Sequence, residues 1–124
     1  SFADGIDADF SVIEGMRANV SNSGNDCLDF SFGRYSVVPM LSQCGDKGIS
    51  VGETANVEVH GGVVEGAIIG IASKDGAHVK IDGLEIRNAN ICTASYRKKK
   101  KFPTGKTHII KYKCEGKIDT FQLQ

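Results

Sequence analysis

The sequence predicts an all-β fold, a right-handed parallel β-helix (a solenoid) of about five turns with three short strands per turn. One segment is written nearly twice, since Gly48-Ile49-Ser50-Val51 returns further along the chain as Gly70-Ile71-Ala72-Ser73. Short apolar stretches that alternate with glycine at a period in the twenties are typical of solenoids. One turn cannot bury its apolar face alone, so successive turns stack and share a core.

The first strand of each turn gives the clearest column of equivalent positions. The period of the repeated segment connects Ile6, Leu28, Ile49, Ile71 and Thr93. Because side chains alternate along a strand, we expect this column to face inward. We expect its neighbours to face outward as a strip of small and partly acidic residues: Gly5, Asp7, Cys27, Asp29, Gly48, Ser50, Gly70, Ala72, Cys92 and Ala94.

Two further strands repeat in the same way. The second is predicted at 35–37, 57–59, 79–81 and 107–109, and the third at 62–64, 84–86 and 112–114. The last step of the second strand is longer than the others, so the fifth turn carries an insertion, which must lie in the basic loop within 97–106. A leucine-rich repeat has a similar period, but leucine is too rare and the turn that begins at Ile81 matches only in part.

The charge balance and the lack of long apolar runs exclude several classes of function. Fifteen basic and fifteen acidic residues cancel, so no global field favours nucleic acid. No apolar run approaches the roughly 20 residues that a membrane helix needs. We therefore expect neither a nucleic-acid partner nor a membrane span.

The four cysteines are predicted to be free thiols. An even count can indicate disulfides in a secreted domain. In the predicted register, however, Cys27 and Cys92 lie three turns apart in one column, about 14 Å at the spacing of neighbouring strands. Disulfide-bonded Cα atoms lie within about 7 Å. No cysteine and histidine spacing suggests zinc.

Amide side chains recur at the corner before the first strand. Asn22, Gln43 and Asn88 lie there, with Glu65 in the same region. Stacked amides at such a corner can bond along the column and satisfy backbone groups of the turns. We prefer this structural interpretation to a ligand-binding role.

Four strings resemble the repeats of bacterial right-handed parallel β-helix proteins of the pectin-lyase-like superfamily. They are NDCLDFS (25–31), DKGISVGE (46–53), IASKD (71–75) and ASYRKK (94–99). The resemblance covers roughly residues 4 to 102. It implies the fold and an extracellular or cell-surface setting. The superfamily includes polysaccharide lyases, hydrolases, epimerases, phage tailspikes and adhesins, so the resemblance does not select an activity.

Members of that superfamily usually have more turns and a capping helix at the N-terminal end. Residues 1–124 are expected to form a single β-helix domain without that helix. Its first turn would expose unpaired strand edges, which are a template for association. We therefore expect the C-terminal part of a longer solenoid, or a subunit whose N-terminal end is covered by another protein subunit or domain.

Aspartates are dense near the N-terminus, at Asp4, Asp7, Asp9, Asp26 and Asp29. In the predicted register Asp7 and Asp29 stack, and two such carboxylates call for calcium, a raised pKa or a solvated surface. A solvated surface is the preferred interpretation. The alternatives are calcium or sugar binding by Asp7 and Asp29, and catalysis by Asp29, because retaining glycosidases use a carboxylate pair at about this separation.

A second group of charged residues follows the first strand. Glu53, Asp75 and Arg97 recur at the period of the repeat, with Lys74 and Tyr96 in the column beside them. An exposed ladder of ion pairs, which contributes little to stability, is the preferred interpretation. The alternative is a groove for an acidic sugar. There Lys74, Arg97 and Lys98 would hold the carboxylate, and Tyr96 or Lys47 would serve as a base.

The run 97–101 holds five positive charges and is expected to be a solvated loop, or else a contact for an anionic glycan or surface. It lacks the interleaved aromatics of single-strand nucleic-acid binding. His60, His78 and His108 are expected to point to solvent and to form no ligand set.

Together these patterns favour an extracellular or cell-surface module with a structural, adhesive or glycan-binding role. The expected partner is a polysaccharide or another surface glycan, and the expected cofactor is none unless calcium binds. The alternative is a polysaccharide-active enzyme, a lyase, epimerase or hydrolase, in which Asp29, Lys47 and Lys74 converge on the outer face of the first sheet. Five turns leave little room for substrate loops, which favours the non-catalytic interpretation.

Overall fold

The computed structural model describes residues 5–123, and within them the chain is built from parallel β-strands with no helix. The strands are β1 (Ile6–Ser23), β2 (Leu28–Cys44), β3 (Lys47–Gly52), β4 (Asn56–His60), β5 (Val63–Lys74), β6 (His78–Tyr96) and β7 (Lys106–Gln122). Asp4 lies outside the described residues.

The strands coil into a parallel β-solenoid of about four turns. The first-strand column runs in register from Ile6 through Leu28, Ile49 and Ile71 to Thr93. β2 follows a full turn by itself, because β3, β4 and β5 pair with it in succession. Several strands are therefore longer than the short segments that the sequence predicts, since parallel pairing continues through the bends between segments.

The core lies inside the coil and is formed by stacked aliphatic side chains. Leu28, Ile49 and Ile71 have no exposed surface, which confirms that their column faces inward. The second-strand column Val57–Val79 and the third-strand column Val64–Ile86 also pair as the repeat predicts. The apolar face of each inner turn is thus covered by the turns above and below it.

One corner of the coil repeats an unusual backbone conformation. Asn22, Gln43 and Asn88 have positive φ angles of 58°, 53° and 54° at one corner. Asparagine tolerates this left-handed region better than most residues do, which accounts for its recurrence there. Only Asn88 has a side-chain hydrogen bond of the predicted kind among residues 5–123, donated to Glu65 Oε2 at 2.9 Å.

The prediction of free thiols is wrong. Cys27 is bonded to Cys44 and Cys92 to Cys114, with Cα–Cα distances of 5.3 and 6.1 Å. Cys27 and Cys92 are too distant to pair with each other, but each is bonded to a cysteine near the end of its own turn. Cys114 lies on the third strand, in register with Ile86, whereas Cys44 lies just past the corner residue Gln43. The distance between equivalent first-strand positions does not bear on a pairing within one turn.

The orientation predicted for these first-strand positions is also wrong. Cys27 and Cys92 are fully buried and belong to the core, although they were expected to face outward. The chain bends as it enters the first strand, so Cys27 and Leu28 point inward in succession and the alternation begins only after them. Gly5, Gly48 and Gly70 occupy equivalent positions, and a Cβ on each would meet a third-strand side chain.

Candidate functional site

The outer face of the first sheet has a floor of small residues. The column Asp7, Asp29, Ser50, Ala72 and Ala94 runs along it in register. Ser50, Ala72 and Ala94 are at most 1% exposed, although Ala72 and Ala94 are not part of the apolar core. Neighbouring outer side chains must therefore cover this floor, and the longest candidates are two lysines and a tyrosine.

Lys47 lies at one edge of the floor and is held by two carboxylates. Its ammonium group is 2.8 Å from Asp46 Oδ2 and 4.0 Å from Asp26 Oδ1. Its backbone N–H also donates to Asp26 Oδ1 at 3.1 Å. Burial alone would lower the pKa of Lys47, but the hydrogen bond to Asp46 and the charge of Asp26 outweigh it and leave the pKa raised. Lys47 is thus a fixed cation.

Lys74 lies at the opposite edge of the floor and has no comparable carboxylate contacts within residues 5–123. Its side chain turns over Gly52, where its Nζ would be 3.9 Å from a Cβ. Among residues 5–123 this ammonium group has no hydrogen bond or ion pair. Burial lowers the pKa of Lys74, the charges of Lys47 and Lys98 lower it further, and Asp29 opposes them only in part. Lys74 is therefore a half-buried cation without a counter-ion of its own.

Tyr96 lies next to Lys74 in register on the neighbouring turn. Burial raises its pKa, and the charges of Asp46 and Asp26 add to this effect against the opposing charge of Lys47. The phenol therefore keeps its proton at neutral pH and is available as a hydrogen-bond donor.

Ser50 lies on the floor and is a further polar residue of this face. Its hydroxyl oxygen is buried and has no hydrogen-bond partner within the described part of the chain. Such a group is costly unless something pairs with it. We call Asp29, Lys47, Ser50, Lys74 and Tyr96 the first-sheet site.

Asp75 and Glu53 form contacts at the next corner that the sequence did not predict. Asp75 is 2% exposed, and its Oδ1 accepts the backbone N–H groups of Lys98 and Lys99 at 2.7 and 2.8 Å. Glu53 binds the side chain of Lys99 at 2.9 Å, whereas the predicted ladder paired it with Asp75 and Arg97. In these contacts both carboxylates fix the basic loop.

The stacking that the sequence predicts for Asp7 and Asp29 is confirmed. Asp7 pairs with Asp29 in register on the outer face, and Asp9 pairs with Ser31. Within residues 5–123 no three histidine, cysteine or carboxylate side chains come together as a metal site. Calcium binding by Asp7 and Asp29 stays a prediction.

A groove of about 950 Å³ on the second sheet was not predicted. Its outer side chains include one column of Arg34, Asn56, His78 and Lys106 and another of Ser36, Glu58, Lys80 and His108. The alternation of polar residues with Val57 and Val79 was the available signal, since it indicates a solvated face. We call this feature the second-sheet groove. His78 and His108 are exposed as expected.

The second-sheet groove lies on a different face of the solenoid from the lysines of the first-sheet site, whose pKa values are shifted. The charged side chains that line the groove are exposed. The first-sheet site has half-buried charges and a buried hydroxyl, which are the better indicators of a ligand site. We therefore assign more weight to the first-sheet site.

Comparison with protein-family models, with curated proteins and with solved structures gives no significant match. Over the described range, no helix is long and apolar enough to cross a membrane.

Proposed function

We propose that this chain is an extracellular or cell-surface solenoid module that binds an acidic glycan at the first-sheet site. The observation that carries the proposal is Lys74, a half-buried ammonium group without a hydrogen bond or ion pair among residues 5–123, whose pKa is lowered by burial and by neighbouring cations. An anion bound beside Lys74 would supply the missing counter-charge and raise that pKa again.

The groups around Lys74 suit the carboxylate of an acidic sugar. Lys47 supplies a second cation, and the protonated Tyr96 supplies a donor for a sugar oxygen. Arg97 and Lys98 follow Tyr96 directly and are exposed, so they supply further positive charge at the rim.

The two disulfides support the proposed location. Disulfides persist in oxidising compartments and are rare in the cytosol. The right-handed coil, the five turns of three strands and the kinship with pectin-lyase-like proteins are parts of the same proposal. So is a further subunit or domain at the N-terminal end, since the outer edge of β1 has no partner strand within residues 5–123.

The binding test compares an oligogalacturonate with its fully methyl-esterified, uncharged form by isothermal titration calorimetry. The charged form should bind and the esterified form should bind at least about tenfold more weakly, the loss expected for one charge-assisted hydrogen bond. Lys74→Met should remove the difference. Lys111→Met, an exposed lysine of β7, is the charge-matched control. Equal affinity for both forms would contradict the proposal.

A polysaccharide lyase is the second candidate function, and the pKa directions favour it. Lys47 and Tyr96 both have raised pKa values, so they hold their protons and are poor bases. Lys74 has the lowered pKa that a general base needs. The Lys74 amine would take the C5 proton of a uronate while the C4–O bond breaks. A C4=C5 double bond forms, and the Tyr96 hydroxyl returns a proton to the departing oxygen.

The lyase is tested by the ultraviolet absorbance of unsaturated ends during incubation with polygalacturonate. Turnover that is lost in both Lys74→Met and Tyr96→Phe would establish the enzyme. Binding without unsaturated ends would leave the non-catalytic module as the function.

A further inference from the structure

The basic loop, residues 97–105, is held firmly although it carries a run of like charges. The buried carboxylate of Asp75 binds two of its backbone N–H groups. At the end of the loop, Gly76 N–H donates to the Pro103 carbonyl at 2.7 Å, and Gly105 N–H donates to the Tyr96 carbonyl at 3.0 Å. The loop is thus fixed near its start and at its end by the turn beneath it.

The anchored loop presents cations that have no acidic partner. Lys99 is neutralised by Glu53. The side chains of Arg97, Lys98, Lys100 and Lys101 are exposed and form no ion pair within the described residues. Like charges held close together repel one another. A solvated loop could relax this repulsion by moving, but the contacts of Asp75 restrict that movement.

The loop leads directly into the basic half of the second-sheet groove. Lys106 follows the loop and pairs in register with His78, and Lys80 pairs in register with His108. The column of Lys80 also contains one acid, Glu58, which pairs in register with Lys80 on the neighbouring turn. The cations of the loop therefore continue along the sheet, and polar side chains further along the groove can contact uncharged parts of a ligand.

We propose that the basic loop and this half of the second-sheet groove bind a linear sulfated polysaccharide. The ordered loop lowers the entropy cost of binding, because its cations need not be fixed anew. The surface differs from the first-sheet site, so the inference goes beyond the proposed function and adds a second ligand. It shares with the proposed function the extracellular setting, where sulfated polysaccharides are found, and the exposed side chains of Arg97 and Lys98 at the rim of the first-sheet site.

The side chains of the loop favour a glycan over a nucleic acid. Single-stranded nucleic acids are bound by basic residues together with aromatic rings on which the bases stack. The aromatic residue of the loop, Phe102, is half-buried and has the Lys101 ammonium 5.3 Å from its ring centroid. A ring covered in this way is not open for stacking. Sulfate groups need only cations and hydrogen-bond donors, which this surface supplies.

The first test measures the affinity of the whole chain for heparin, used as the sulfated probe, by surface plasmon resonance. Lys100→Ser/Lys101→Ser should weaken binding by about 25-fold, on the basis of about fivefold for each lysine near an anionic surface. Lys111→Ser/Lys113→Ser removes the same charge from β7 outside the groove and should change the affinity far less. Equal losses in the two variants would show unspecific attraction and overturn the proposal.

The second test separates a fixed loop from a merely basic one. Asp75 has a φ of 50°, which glycine adopts readily, so Asp75→Gly removes the carboxylate without straining the corner. Losing the carboxylate makes the net charge of the variant more positive by one. Heparin should therefore bind the variant more tightly if charge alone mattered. We expect weaker binding by several-fold, because the loop is released. Tighter binding would overturn the proposal.

Two parallel measurements complete the design. Single-stranded DNA of matched length should bind more weakly than heparin, and equal or tighter binding of DNA would overturn the glycan assignment. Titration of Lys100→Ser/Lys101→Ser with oligogalacturonate reports on the first-sheet site, because neither residue belongs to that site, so failure of one proposal is distinguishable from failure of the other.

Discussion

Gly48 and Gly70 are stacked so closely that a Cβ on Gly48 would lie 2.6 Å from the carbonyl oxygen of Gly70. The same Cβ would lie 2.6 Å from a methyl group of Val64 in the core. Gly48→Ala should therefore lower the free energy of unfolding by about 1–3 kcal/mol, the usual cost of overpacking. Urea unfolding followed by circular dichroism measures it.

Gly15→Ala is the matched control for that substitution. Gly15 has a φ of 64°, and a Cβ there would have no neighbour within 4 Å. Only backbone strain of about 1–2 kcal/mol should remain, without any change in core packing. A Gly48 variant as stable as the wild type would show that the first strand does not pack as closely as described.

The disulfides should contribute strongly to stability. Cys27–Cys44 closes a loop with a sequence separation of 17 and Cys92–Cys114 one of 22. Cross-links of this loop length stabilise by about 3 kcal/mol each in the chain-entropy model. Reduction with dithiothreitol should shift the urea midpoint downward, and Cys27→Ser/Cys44→Ser should show part of that shift. Thiol titration of the unreduced, denatured chain should find no free thiol.

The lowered pKa of Lys74 predicts how a variant depends on pH. The unfolded chain holds a proton on Lys74 up to the ordinary lysine pKa of about 10.4, whereas the folded protein releases it at a lower pH. The ammonium group therefore destabilises the fold below the folded pKa, and this penalty disappears as the pH rises towards the ordinary lysine value. Lys74→Met should be more stable than the wild type at neutral pH.

The difference between Lys74→Met and the wild type should shrink as the pH rises. Lys47→Met should instead be less stable than the wild type at neutral pH, and this difference should also shrink, because the raised pKa of Lys47 means that its stabilising charge is lost as the pH rises through the folded value. Urea unfolding at several pH values above neutrality tests both trends. A constant difference for Lys74→Met across that range would contradict the burial of this ammonium group.

Proteolysis tests the anchoring of the basic loop independently of any ligand. Trypsin cleaves after lysine and arginine in mobile segments, and the loop holds five such residues at 97–101. Asp75→Gly should accelerate cleavage there severalfold, as judged by mass spectrometry of early fragments. Asp82→Gly, which replaces an exposed acid on β6, is the control. Equal rates for Asp75→Gly and the wild type would mean that the carboxylate does not order the loop.

The repeat in the sequence was sufficient to predict the stacking of the solenoid. Because Leu28, Ile49 and Ile71 are apolar and evenly spaced, their common column followed from the period alone. The place of the extra residues followed in the same way, since β6 ends at Tyr96 and β7 begins at Lys106. These two predictions require only the stacking of successive turns of the coil and the alternation of side chains along a strand.

The bends of the chain could not be predicted in this way. Strict alternation placed Cys27 on the outside, whereas the backbone turns just before Leu28 and directs both side chains inward. The disulfide to Cys44 depends on that bend and on the width of the core. The period of the sequence repeat specifies neither of them.

For the first-sheet site, the sequence predicted that Lys47, Lys74 and Tyr96 lie on one face. It contained no sign that Lys47 has carboxylate partners while Lys74 has none among the described residues. The contacts of Asp75 with the backbone of the loop were equally hidden, because they depend on how the inserted residues fold back over the turn beneath.

The corner between β6 and β7 accommodates an insertion without disturbing its neighbours. Ile81 pairs in register with Ile109 just as Val59 pairs with Ile81, although the chain between the first two is longer. Since lengthening a loop costs little closure entropy, foreign peptides spliced between Lys100 and Lys101 should be displayed on an intact scaffold, which makes this chain a rigid carrier for grafted epitopes.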